Sequence, residues 1–137
     1  MYQIYFLSLL FNLTAGAVLA FETLSEKTAL QKLFVAETIQ KVGFRFGLGI
    51  LTFIVGFLKL LSVTQGDVPV VGDLLPAVSG MVMGFTLILQ YYQSRSSVSS
   101  QTVDRMDSIF TANKNLIGLI GIIIAVLHFF LPRVLFL

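Results

Sequence analysis

Hydrophobic residues in this chain come in four long runs separated by polar stretches. The runs are Tyr2 to Phe21, Phe44 to Val63, Val70 to Tyr92 and Leu116 to Leu137. Each reaches the roughly 20 apolar residues that a helix needs to cross a bilayer. The first has no charge inside it. The second holds Arg45 and Lys59, the third has Asp73 near its start, and the fourth holds His128 and Arg133. The pattern predicts an all-α membrane protein with four transmembrane helices in a single domain, residues 1–137.

Helical spacing continues beyond the second and fourth runs. Val35, Ile39, Val42 and Phe46 recur on one face, as do Val103, Met106, Phe110, Asn113 and Ile117. Helices two and four are therefore expected to run unbroken from the cytoplasm into the membrane. Thr23 and Glu26 have the spacing of a capping box that would open helix two. Ser94 to Thr102, rich in Ser and Gln, lacks this periodicity and reads as the most mobile segment. Pro76 is expected to kink or begin the third span.

The two halves resemble one another. Ser8 to Ala15 aligns with Asp73 to Gly80, and Ala36-Glu37-Thr38-Ile39 with Met106-Asp107-Ser108-Ile109. This predicts a parallel tandem repeat of two helical hairpins, about residues 1–65 and 66–137, related by an axis along the membrane normal.

Composition supports the bilayer. Hydrophobic residues make up 56% of the chain, charged residues only 12%, and the mean hydropathy is +0.91. Soluble domains carry about 25% charged residues. Lys27, Lys32, Lys41 and Arg45 lie between spans one and two, and Arg95, Arg105 and Lys114 between spans three and four. Only Lys59 and Arg133 fall on the opposite side. The positive-inside rule then puts both long connections in the cytoplasm and both termini outside a plasma membrane. Val18-Leu19-Ala20 resembles a signal-cleavage site, but no basic residue precedes the first run, which is expected to be retained.

Small residues mark packing faces. Gly72, Pro76, Gly80 and Gly84 recur every fourth position, Gly43 and Gly47 form a small-xxx-small pair, and Asn12, Gly16 and Ala20 make a similar stripe. Such stripes suit bundle packing, a homo-oligomer or a partner membrane protein.

The chemistry on offer is sparse. There is no cysteine and one histidine, His128, so a zinc site or a histidine-based triad lacks its usual groups. No phosphate-cradling loop, nucleophile elbow or basic run appears. Neither an enzyme, nor a cofactor, nor a nucleic-acid partner is expected. The polar residues within the runs form one candidate layer near the outer face: Ser8, Lys59, Asp73 and His128, with Asn12 a turn deeper. Lys59 and Asp73 fall at matching depth and are expected to pair. Asn12-Leu13-Thr14 matches a glycosylation sequon, discounted because it lies inside an apolar helix. Glu37 and Asp107 are read as pairing locally with Lys41 and Arg105. Two functions compete. One is a non-enzymatic scaffold or accessory subunit of a membrane complex. The other is a small transporter or channel using the polar layer.

Overall fold

A computed structural model describes residues 2–27, 38–39, 41–61, 73–97 and 100–131. The described residues are overwhelmingly helical and contain no strand. The helices are α1 (Tyr2–Leu19), α2 (Phe21–Lys27), α3 (Val42–Leu61), α4 (Leu74–Arg95), α5 (Gln101–Met106) and α6 (Lys114–Phe130), with a π-helical turn at Asp107–Thr111 after α5. Gly72, Glu37 and most of the expected cytoplasmic extension of helix two lie outside the described residues.

α3 and α4 are each long and apolar enough to cross a bilayer. The α5 segment with its π turn makes a third such unit with α6, bent by 52° at the break. α1 is apolar but short of that length. By length and composition, two or three described helices can therefore span a membrane, where the sequence pattern predicts four. The shortfall has a local cause: Ala20 forms a turn that ends α1, and α2 follows at once.

The two long helices expected to run unbroken into the membrane are interrupted. Lys41 is not helical, and α3 begins at Val42. Before α6, Ala112 N–H donates to Asp107 O at 3.1 Å, the five-residue bond of a π turn. Asn113 Nδ2 donates to Ile109 O at 2.8 Å and Ser108 Oγ to Arg105 O at 2.8 Å. Such side chains compete with the helix ladder and favour this break. Thr23 lies inside α2, which already starts at Phe21, so the expected capping box does not open it. Of the Ser-rich stretch, residues 94–97 and 100–102 are described. α4 continues to Arg95, and Ser100 caps α5, its Oγ accepting from Val103 N–H at 3.3 Å.

The four long helices alternate in direction. Arg45 near the start of α3 reaches Val18 at the end of α1, and Lys59 near the end of α3 reaches Asp73 before α4. Lys114 at the start of α6 reaches Glu22 in α2, and Tyr5 near the start of α1 reaches His128 near the end of α6. α1 packs on α6 and α3 on α4, while α1 and α4 meet in the middle. Ala15, Val18, Leu19, Leu48, Met83 and Leu87 form the core.

Two close backbone approaches set this packing. A Cβ on Gly118 would lie 2.6 Å from Gly16 O and 2.9 Å from Leu19 Cβ. One on Gly84 would lie 2.6 Å from Gly49 O, and one on Gly49 would lie 2.8 Å from Leu87 Cβ. Gly16 and Leu19 on α1 thus stand to Gly118 on α6 as Gly84 and Leu87 on α4 stand to Gly49 on α3. The separations are 68 residues (Gly16 to Gly84, Leu19 to Leu87) and 69 residues (Gly49 to Gly118). The sequence alignment of Ser8 with Asp73 sits three residues from this packing register. Gly43 and Gly47 meet nothing close among the described residues. Gly49 and Gly56 on the same helix make the tight contacts instead.

Candidate functional site

At one end of the bundle each long helix terminates within about one turn of the same point. Lys59 lies two residues before the end of α3, and His128 two before the end of α6. Asp73 immediately precedes α4, and Tyr5 lies in the first turn of α1. The helix dipoles suit these charges. The C-terminal ends of α3 and α6 favour cations, and the N-terminal end of α4 favours an anion.

Lys59 Nζ lies 2.9 Å from Asp73 Oδ2 as an ion pair, and His128 Nε2 lies 3.5 Å from Asp73 Oδ1. The two carboxylate oxygens therefore face two different bases. Asp73 holds the N-cap position of α4, yet its side chain makes no cap hydrogen bond. It is turned to the ion pair instead. Pro76 sits in the first turn of α4, where its missing N–H has no partner to lose. The Lys59 ammonium is 5.0 Å from the centre of the Tyr5 ring, a cation–π distance. Tyr5 Oη donates to the His128 carbonyl at 2.9 Å, and the two rings lie 4.7 Å apart. Lys59 and His128 are each 1% exposed and Asp73 6%.

Ser8 follows Tyr5 by one turn on the same face of α1. It is buried, and its Oγ has no hydrogen-bond partner among the described residues. Asn12 is one turn further in. Its Nδ2 donates to Pro76 O at 2.8 Å and to Ser79 Oγ at 3.4 Å. Gly80 makes room for it, since a Cβ there would lie 2.6 Å from Asn12 Oδ1. Lys59, Asp73 and His128 thus meet directly, while Ser8 and Asn12 extend the polar line along the α1–α4 contact. Tyr5 and Ser79 belong to the same line but were absent from the sequence-based layer. The three- and four-residue spacing of Tyr5, Ser8 and Asn12 is the signal that reveals Tyr5.

The opposite end is more open. Lys114 Nζ donates to Glu22 Oε1 at 2.8 Å. This hydrogen bond holds the Glu22 carboxyl below the usual carboxylate range, with burial opposing it. Arg45 Nη2 donates to Val18 O at 3.4 Å. A cavity of about 160 Å³ lies here, lined by Val18, Leu19, Phe21, Glu22, Ile39 and Arg45. Asp107 is half-buried, with Oδ1 unpartnered among the described residues. An apolar groove of about 240 Å³ runs between α4 and α6, past Val78, Val82, Ile117 and Ile124. Neither space touches the ionic cluster. No three His, Asp or Glu side chains gather as a metal site among the described residues.

A protein family of unknown function matches residues 1–128. The chain belongs to that family. No curated protein and no solved structure matches it.

Proposed function

We propose that this chain is an integral membrane protein whose four long helices all lie in the bilayer, acting as a non-enzymatic scaffold or accessory subunit of a membrane complex. The carrying observation is where the polar groups lie. Lys59, Asp73, His128, Ser8 and Asn12 are all buried between helices, while Phe6, Leu51, Ile54, Phe57, Leu116, Ile123 and Phe129 are exposed. An exterior of this kind suits lipid, and an interior closed by small-residue contacts suits a rigid structural unit. α1 runs alongside α3, α4 and α6, which favours counting it as a span despite its length.

The Lys and Arg distribution favours the Arg45–Lys114 end in the cytoplasm and the Lys59–Asp73–His128 end outside. The recurring glycine contacts favour a tandem repeat of two hairpins. Glycine-lined faces and the apolar exterior leave room for a second copy or a partner membrane protein. A second reading, a small ion or solute transporter, draws on one observation: three ionisable side chains from different helices converge on one buried point.

Purification in mild detergent, with mass by light scattering and co-purifying chains identified by mass spectrometry, separates these readings. A defined homo-oligomer or a stoichiometric partner is expected. A partner-free monomer that conducts ions or solutes in vesicles overturns the scaffold reading.

A further inference from the structure

We propose that the cavity between the end of α1 and the start of α3 binds the phosphate group of a membrane lipid, with Arg45 holding it.

Arg45 stands in the first turn of α3 and lines that cavity. Its Nη2 donates to Val18 O at 3.4 Å, which ties the guanidinium to the last turn of α1. That bond is long and uses one of the N–H groups of the guanidinium fork. The Nε–H is buried and has no hydrogen-bond partner among the described residues. An unpaired N–H on a buried charged group is costly, so an acceptor belongs beside it. A second polar group lies close to the same level. Phe46 stacks on Tyr91 with ring centres 4.1 Å apart, which sets the preceding residues, Arg45 and Gln90, at similar depth. The Gln90 carboxamide is buried too, with neither its oxygen nor its nitrogen hydrogen-bonded among the described residues.

A phosphate suits this place better than water does. Nε–H and Nη2 lie on one flat edge of the guanidinium, a fork that matches two oxygens of a phosphate. The cavity measures about 160 Å³. An apolar cavity of about 150 Å³ takes a molecule the size of benzene, so a phosphate group fits. Val18, Leu19, Phe21 and Ile39 form the rest of the wall with Glu22. A free ion would leave these apolar side chains against water, whereas a lipid carries hydrocarbon next to its phosphate. In the bilayer arrangement proposed above, on which the choice of a lipid depends, this end of the bundle meets the cytoplasmic headgroups. Basic pockets between helices take anionic lipids at that level. The Glu22 carboxylate is hydrogen-bonded by Lys114 at 2.8 Å. Its side chain is 64% exposed, so it stands at the mouth, with the Lys114 ammonium offsetting its charge.

The full-length protein in mild detergent, titrated with three probes and followed by native mass spectrometry, tests the site. The probes are phosphatidylglycerol, diacylglycerol with the same chains, and sodium phosphate. Wild type is expected to bind phosphatidylglycerol at least about tenfold more tightly than diacylglycerol, the factor a charge-assisted hydrogen bond supplies. Millimolar sodium phosphate is expected to leave the lipid bound. Arg45→Gln is expected to lose about tenfold in lipid affinity. Arg45→Lys keeps the charge without the fork and is expected to fall between the two. Arg105→Gln, an exposed cation away from the cavity, is expected to bind as wild type does. Circular dichroism and elution volume establish that each variant is folded. If Arg45→Gln does not fold, Arg45→Lys decides, and wild-type affinity there overturns the proposal. Diacylglycerol bound as tightly as phosphatidylglycerol, or equal losses in Arg45→Gln and Arg105→Gln, also overturns it. Sodium phosphate that displaces the lipid gives the cavity to a free anion and overturns the lipid assignment. Lipid binding indifferent to Arg45 would end this site while leaving the bilayer arrangement and the scaffold intact. A chain that labels from the wrong side of a membrane would end that arrangement without altering the response of Arg45 to phosphate.

Discussion

Lys59 and Asp73 join the end of α3 to the start of α4 through a 2.9 Å ion pair whose lysine side chain has no solvent exposure. Removing one partner of a buried ion pair costs about 3–5 kcal/mol. Asp73→Leu is expected to destabilise the folded chain by that amount in detergent unfolding. Lys59→Met combined with Asp73→Leu removes both charges and is expected to recover most of the loss. A double variant as unstable as the sum of the singles would contradict the pairing.

Gly84 lies against the backbone of α3. A Cβ there would come within 2.6 Å of both Gly49 O and Phe53 N. Backbone cannot step aside as a side chain can, so the helices must separate. Gly84→Ala is expected to lose about 1–3 kcal/mol. Gly118→Ala, whose Cβ would meet Gly16 O at 2.6 Å, is expected to behave alike. Gly43→Ala, where no described residue lies within 4 Å of the added Cβ, should change stability by less than about 0.5 kcal/mol. Equal effects at all three positions in a denaturant titration would refute this assignment of the packing faces.

Asn12 and Gly80 form a coupled pair. Asn12→Ala removes the hydrogen bonds to Pro76 O and Ser79 Oγ, and about 1 kcal/mol is expected to go with them. Gly80→Ala pushes on Asn12 Oδ1. In the Asn12→Ala background that push is gone, so Gly80→Ala is expected to be milder there. Strict additivity in a double-mutant cycle would show that the two do not interact.

Glu22 and Lys114 give the other end a pH response. The Glu22 carboxyl lies below its ordinary value of 4.5 because Lys114 hydrogen-bonds to it. The folded state therefore gains stability above the ordinary value and loses it as pH falls through the lowered one. Glu22 is largely exposed, so solvent screening limits the effect to under about 1 kcal/mol. Glu22→Gln is expected to flatten the stability profile below about pH 4.5 at low salt. An unchanged acid slope would remove this ion pair from the account.

How far the sequence carried this picture depends on the kind of signal. Hydrophobic run length located α3 and α4 well, because burial in an apolar setting leaves little choice of residue. Depth along two adjacent runs was enough to bring Lys59 beside Asp73. Rotation about the helix axis was harder to read. Gly43 and Gly47 share a spacing with true contact glycines, yet no described residue comes within 4 Å of a Cβ at either, and Gly49 and Gly56 make the close contacts. Helix continuity was also hidden, since periodicity persists through the π turn at Asp107–Thr111 while its hydrogen bonds shift by one residue. Tyr5 stayed outside the candidate layer because an aromatic near a helix start ordinarily marks an interface. Only the neighbours on α3 and α6 show it shielding Lys59 and holding His128.

The central claim is that the four long helices cross one membrane, with the buried ion pair at the outer end. The cysteine-free chain allows the most direct test, single cysteines labelled with an impermeant maleimide on intact cells. Gln3→Cys and Leu131→Cys are expected to label from outside. Thr38→Cys and Ser100→Cys are expected to label only after permeabilisation. Matching behaviour of Gln3→Cys with Thr38→Cys, or of Leu131→Cys with Ser100→Cys, would contradict the four-span arrangement.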